Sequence, residues 1–136
     1  MILLDSGYFI ALFNPNDDLH TRVQLWSRQV EETLLVTEYV IWECVNAFSR
    51  PADRASAQVL VDHVRGHSAY LWIDASPVLF EAGMALHRDR PDKEWSLTDC
   101  VSFHLMSARG ITRALAYDQH FEQAGFEALL RRDPPS

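Results

Sequence analysis

This sequence of 136 residues contains only two cysteines and five glycines, and it has no long hydrophobic run. Cys44 and Cys100 lie in helical patterns among apolar neighbours, which favours reduced core residues over a disulfide framework. Since no apolar run approaches the roughly 20 residues that cross a bilayer, we predict no membrane segment. The N-terminus has neither the basic flank nor the small-residue cleavage site of a signal peptide, so we expect a cytoplasmic protein.

Positive charge is also scarce. Twelve Lys and Arg residues against nineteen Asp and Glu residues give a net charge of -7. Such a chain lacks the basic surface that broad, non-specific adhesion to nucleic acid requires, although a nuclease is not excluded. Eleven of the twelve basic residues are Arg, which suits bidentate contacts to phosphate, but a GC-rich genome gives the same bias.

Apolar runs of strand length alternate with helical patterns along the whole chain. This alternation predicts an α/β fold with three layers, in which helices flank a central, mostly parallel sheet. The strands are predicted at 2–4, 34–37, 70–74, 114–117 and 126–130. The helices are predicted at 6–13, 17–32, 38–49, 52–66, 77–88 and 97–109, with a short helical turn at 120–123 and a frayed tail at 131–136. No Gly, Pro or Ser-rich linker divides the chain, so we expect residues 1–136 to form one domain.

Two carboxylates follow predicted strands directly. Asp5 ends the run ILL, and Asp118 follows the run ALAY. In an open parallel sheet ligands bind beyond the carboxyl ends of the strands, and both side chains should lie there. Each has an alternative interpretation, since Asp is also a favoured N-cap of a following helix.

Glu43 lies at the border of the apolar stripe of its helix. The stripe is formed by Val40, Ile41, Cys44, Val45 and Phe48. A carboxylate at this border is partly drawn into the core, which is costly unless another group pairs with it. The alternative is a border residue whose carboxylate reaches solvent.

Asp99 stands three residues after Ser96, which is the spacing of a capping box. The first turn of a helix that starts above the sheet would nevertheless place Asp99 over the same edge as Asp5 and Asp118. Two unit charges about 4 Å apart repel by roughly 4 kcal/mol at an effective dielectric constant of about 20. A cluster of four carboxylates therefore needs a cation, and hard oxygen ligands suit Mg²⁺ or Mn²⁺.

Four segments carry these acids in a recognisable order. The segments LLDSGYFIALF, TEYVIWECVNAF, WSLTDCVSFHLMSARGI and ALAYDQHFEQAGF resemble the acidic motifs of PIN-domain nucleases, and within that family the toxins of bacterial toxin–antitoxin pairs. The resemblance spans nearly the whole chain. It places the acidic residues of the family on Asp5, Glu43, Asp99 and Asp118, and its hydroxyl positions on Ser6 and on Thr98 or Ser96.

The resemblance implies hydrolysis of a phosphodiester with one or two Mg²⁺ or Mn²⁺ ions. Asp5 and Asp99 are expected as direct ligands, Glu43 as a ligand or water-orienting base, and Asp118 as a ligand or a residue that supports the ligands. RNA as substrate, a homodimer and a cognate antitoxin are likewise implied by the family alone.

Three other functions compete with this interpretation. A phospho-receiver domain would need a carboxylate pair after the first strand and a nearby Lys, whereas Ser6 follows Asp5 and the only lysine, Lys93, is in a predicted loop. A zinc site is suggested by the spacing of His63 and His67, but no Glu follows His63. The third alternative is a catalytically silent PIN fold that binds nucleic acid or protein.

Overall fold

The computed structural model describes residues 1–136 and is built around five parallel strands. The strands are β1 (Ile2–Leu4), β2 (Leu34–Thr37), β3 (Tyr70–Ile73), β4 (Arg113–Leu115) and β5 (Glu127–Ala128). Their order in the sheet is β3-β2-β1-β4-β5, and each neighbouring pair is parallel. The predicted α/β class is confirmed, and β1 is the central strand.

Seven α-helices connect and cover the strands. They are α1 (Ser6–Phe13), α2 (His20–Gln29), α3 (Glu38–Ala47), α4 (Arg54–Gly66), α5 (Pro77–Asp89), α6 (Leu97–Arg109) and α7 (Gln119–Gln123), and a 3₁₀ helix follows at Leu129–Arg131. No helix has both the length and the apolar character that crossing a membrane would require.

The side chains of β1 alternate between the two faces of the sheet, as the pleat of a strand requires. Ile2 and Leu4 pack into a core beneath α1 to α4, and Leu3 packs into a second core beneath α6. Two cores separated by one sheet give the predicted three layers. Asp5 directly follows β1. Because both faces of β1 are buried, Asp5 lies near the centre of the molecule.

Several helix ends agree with the sequence signals. The hydroxyls of Thr37, Ser76 and Ser96 accept hydrogen bonds from N–H groups in the first turns of α3, α5 and α6. Gly110 ends α6 with φ 67°, a left-handed conformation that favours glycine. These caps fix where α3 and α6 begin above the sheet, and both helices carry an acid of the predicted site.

The fourth strand ends earlier than predicted. β4 stops at Leu115, because the carbonyl of Ala116 accepts the N–H of Leu130 from the 3₁₀ helix and not from a strand. Asp118 therefore does not end the strand, and it is the N-cap of α7. The predicted strand at 126–130 is reduced for the same reason to Glu127–Ala128.

The prediction of a frayed tail at 131–136 is wrong for residues 131–133. The indole N–H of Trp26 donates to the carbonyl of Arg132 at 2.9 Å. Arg22 donates from Nε to Asp133 Oδ1 at 3.0 Å and from Nη1 to the carbonyl of Leu130 at 3.1 Å. Side chains of α2 thus hold the chain after β5, a long-range contact that no local pattern signals. The predicted helix at 17–32 is also too long, because Asp17 accepts the N–H of Leu19 and forms a turn before α2.

Candidate active site

Four acidic side chains lie over the carboxyl edge of the sheet. Asp5 follows β1 directly, Glu43 is in the middle of α3, Asp99 is in the first turn of α6, and Asp118 precedes α7. The charges of Asp99, Glu43 and Asp118 all raise the pKa of Asp5, so the structure brings all three into electrostatic range of it. Asp5 is thus the carboxylate whose pKa is raised by all three of the others.

Asp5 does not act as a helix cap. It occupies the N-cap position of α1, yet its side chain makes no capping hydrogen bond there. Loss of solvation, the charge of Asp99 and then the charges of Glu43 and Asp118 together raise the pKa of Asp5 from 3.8 to about 7. Only the backbone N–H of Ser6 opposes this rise. A half-buried carboxylate with three acidic neighbours needs a cation to remain ionised near neutral pH.

Glu43 is half-buried at the border of the apolar stripe, as predicted. Burial is the largest cause that raises its pKa, and the charge of Asp99 adds to it. The hydroxyl side chains of Ser6 and Thr98 face Glu43 and lower its pKa, in the opposite direction. Two of the three predicted hydroxyl residues therefore lie beside the acid of α3.

Asp99 and Asp118 share a neighbour that the sequence analysis missed. Nδ1 of His120 lies 3.2 Å from Asp99 Oδ2 and 3.3 Å from Asp118 Oδ1. The capping alternatives are also realised here, since Asp99 accepts the N–H of Ser96 and Asp118 accepts the N–H of His120. An aspartate can thus cap a helix and also belong to the acidic cluster. The hydroxyl of Ser96 accepts the N–H of Asp99 and so takes part in the cap.

The donor set suits a divalent cation of the Mg²⁺ or Mn²⁺ type. All four side chains offer hard oxygen atoms, and no Lys or Arg side chain forms a salt bridge with any of them. In their present conformations, no three His, Cys, Asp or Glu side chains are grouped closely enough to hold one ion. Binding an ion would therefore require the carboxylates to turn toward it.

A cavity of about 500 Å³ opens beside Asp5 and Asp118. Its wall also includes Ser6, Gly7, Asp17, Leu19, Tyr117, Gln119 and Arg131. Three of the nine residues are acidic and Arg131 alone is basic. Arg131 lies in the tail that was predicted to be frayed, and no sequence signal marked it as part of a site.

The zinc alternative is not supported by the two histidines that suggested it. Nε2 of His63 lies 2.8 Å from the hydroxyl of Tyr70, and Nδ1 of His67 lies 2.7 Å from the carbonyl of His63. One nitrogen of each ring is engaged within the protein, and no third His, Cys, Asp or Glu side chain is grouped with the two rings to complete a metal site. Lys93, the residue that a receiver domain would need in its pocket, instead lies 4.0 Å from Asp92 on the surface.

The raised pKa of Asp5 predicts how stability depends on pH without metal. Below pH 3.8 the carboxyl is protonated in both states, and as the pH rises to about 7 its ionisation increasingly favours the unfolded chain. Asp5→Asn should therefore be more stable than the original protein by a few kcal/mol, on the order of 1.4 kcal/mol per unit of pKa shift. Urea unfolding in EDTA should show a larger difference at pH 8 than at pH 5. A stability difference that does not change with pH would contradict the raised pKa of Asp5. Added Mg²⁺ or Mn²⁺ should reduce the stability difference between the two proteins.

Comparison with known proteins places the chain among related sequences and folds. The family model described as PIN domain matches residues 2–127. The 23S rRNA-specific endonuclease VapC20 of Mycobacterium tuberculosis is 29% identical in an alignment of 140 positions, gaps included, and the alignment covers 93% of this chain and 95% of that protein.

Two crystal structures share the fold. That of Mycobacterium tuberculosis VapC20, a Sarcin-Ricin loop cleaving toxin, has a TM-score of 0.84 at 23% identity and covers 94% of this chain and 98% of its own. FitAcB from Neisseria gonorrhoeae has a TM-score of 0.64 at 16% identity and covers 95% and 99%. Both likenesses concern the arrangement of helices and strands.

Proposed function

This chain belongs to the PIN domain family, as the sequence resemblance predicted, and from that premise we propose that it is a metal-dependent endoribonuclease. It hydrolyses RNA phosphodiester bonds and acts as the toxin of a toxin–antitoxin pair. The observation that carries this proposal is the half-buried Asp5, whose pKa is raised to about 7 by loss of solvation and by three other carboxylates. A group perturbed in this way is typical of a functional site.

Asp5, Glu43, Asp99 and Asp118 would hold Mg²⁺ or Mn²⁺. Such an ion, when bound, makes water more acidic and neutralises charge that develops on the phosphate and the leaving oxygen. Ser6 and Thr98 orient the carboxylate of Glu43, and the raised pKa of Glu43 suits a base that accepts a proton from the attacking water. His120 lies between Asp99 and Asp118 and sets the position of both carboxylates.

The substrate is proposed from the relatives. VapC20 is a 23S rRNA-specific endonuclease and its crystal structure is that of a Sarcin-Ricin loop cleaving toxin. We extend that substrate class, a loop of ribosomal RNA, to this chain, and a cytoplasmic location follows from it. Because hydrolysis of this kind does not require a 2′-hydroxyl, selection of RNA depends on contacts outside the four acids.

A protein partner is supported by an apolar groove on the surface. Ile41, Trp42, Val45, Val61 and Trp72 line a cavity of about 470 Å³, together with Glu38, Asn46 and Arg65. Trp42 is 67% exposed, which is unusual for a large aromatic side chain. We propose a cognate antitoxin and a homodimer as partners. Light scattering of the purified protein tests the homodimer, and co-expression with the product of an adjacent small reading frame tests the antitoxin.

The purified protein should cleave a synthetic RNA hairpin with the sequence of the sarcin–ricin loop when Mg²⁺ or Mn²⁺ is present. EDTA should stop the cleavage, and a DNA hairpin of the same sequence is the matched substrate control. Binding of the hairpin without cleavage in either metal would instead support the silent binding module. The products, separated on a sequencing gel, identify the bond that is hydrolysed.

A further inference from the structure

We propose that Arg131 and Tyr117 form a nucleotide-binding element beside the acidic cluster, an inference that rests on the proposed nuclease function. In this element Arg131 receives a phosphate of the RNA strand, and the ring of Tyr117 stacks on a neighbouring base. The four acids would act on the bond, and this pair would hold the strand next to them.

The guanidinium group of Arg131 is held in place from several sides. Its Nη1 donates to the carbonyl of Tyr117 at 2.9 Å, and its Nε lies 3.0 Å from Glu122 Oε1. Its central carbon lies 5.1 Å from the centre of the Tyr117 ring. No hydrogen bond within the protein uses Nη2, and the side chain is 40% exposed. A donor thus remains in a fixed planar group, the form in which Arg recognises phosphate.

The charge of the cavity favours a cation at its rim. Asp5, Asp17 and Asp118 lie in its wall, and Arg131 is the only basic residue there. RNA carries one negative charge per nucleotide, so three carboxylates would repel a strand that approaches the cluster. A single cation at the rim provides a point of attachment without occupying the acids, since no salt bridge joins Arg131 to Asp5 or Asp118.

Tyr117 adds an aromatic surface at the same place. Tyr117 is 47% exposed even with Arg131 against its ring. It directly precedes Asp118, so the exposed ring lies next to the acidic cluster. Base stacking on an aromatic side chain contributes about 1 to 3 kcal/mol and tolerates any base. The ion pair of Arg131 with Glu122 is exposed and adds little stability. Stability alone therefore does not explain why Arg131 and Tyr117 are both exposed.

The test measures RNA affinity separately from cleavage. The fluorescence anisotropy of a labelled sarcin–ricin hairpin is followed in Mg²⁺, with every variant made in the Asp5→Asn background so that the RNA stays intact. Arg131→Gln should weaken binding about tenfold, the effect of losing one charge-assisted hydrogen bond. The slope of log Kd against log salt should fall by about one. Tyr117→Leu should weaken binding about tenfold and leave the salt slope unchanged.

Arg132→Gln is the matched control, because the adjacent Arg132 pairs with Glu127 and does not line the cavity. It should leave the affinity and the salt slope unchanged. An Arg131→Gln protein that binds as tightly as the Arg132→Gln protein would overturn the inference while the nuclease function stands. If Arg131→Gln does not fold, Tyr117→Leu decides, since it keeps the carbonyl that anchors Arg131, and unchanged affinity overturns the inference. Failure of the original protein both to bind and to cleave the hairpin would overturn the proposed function and this inference together.

Discussion

Asp5→Asn should lower the rate of metal-dependent RNA cleavage by at least 100-fold and leave the protein folded. The substitution keeps the shape of the side chain but removes the negative charge that interacts with all three of the other acids. Changes to residues that merely support metal ligands cost about 10 to 100-fold in affinity or activity, so loss of a direct ligand should cost more. Cleavage of the hairpin in Mg²⁺ or Mn²⁺ gives the rate, and circular dichroism verifies the fold.

Asp62→Asn is the control for this experiment. Asp62 is an exposed acid on α4, away from the carboxyl edge of the sheet, and its replacement should change neither rate nor stability. The capping interpretation of Asp5 predicts the opposite result, because Asn caps a helix about as well as Asp and activity would persist. Full activity of Asp5→Asn would remove Asp5 from the mechanism.

Phe121→Ala should lower the free energy of unfolding by about 3 to 5 kcal/mol, the usual cost of removing a buried phenyl ring. Phe121 is completely buried in α7, and its ring meets that of Phe103 at 4.9 Å in an edge-to-face contact. It is also the only buried residue of this five-residue helix. Since Asp118 and His120 flank it, loss of its anchoring should also weaken metal binding and cleavage. Urea unfolding and calorimetric titration with Mn²⁺ measure the two effects.

Phe80→Ala serves as the control for Phe121→Ala. Phe80 lies on α5, is 42% exposed, and should lose much less stability on truncation. A Phe121→Ala protein as stable as the Phe80→Ala protein would show that α7 is held by other contacts. Retention of full cleavage by a clearly destabilised Phe121→Ala protein would show that the placement of Asp118 does not depend on this ring.

The parts of the fold that the sequence predicted are those with local signals. β1, β2, α1 and α6 have the predicted bounds, because each begins or ends at a cap, a turn residue or a change of hydrophobic period. The end of β4 was misjudged because it depends on Leu130, which reaches Ala116 from a distant segment. The ordered residues after β5 depend in the same way on Trp26 and Arg22 of α2.

The acids of the candidate site could be found for a related reason. Asp5 and Glu43 interrupt apolar patterns, and a charge within such a pattern can be recognised from the sequence alone. His120 and Arg131 interrupt nothing, since each lies in a polar segment, and their relation to the site arises only from the folded arrangement. Residues that complete a site from polar segments have no local signature, whereas charged residues within an apolar pattern do.

The central position of β1 determines when the acidic cluster can exist. Its partner β4 lies near the other end of the chain, and the N–H of Asp5 donates to the carbonyl of Leu115 across that pairing. A contact between such distant segments closes a large loop and costs more chain entropy than the local contacts of a helix. Repulsion among the acids adds to this cost in the absence of a cation. A chain that has formed only its local helices therefore has no cluster, and newly made or partly unfolded molecules should be unable to cleave RNA.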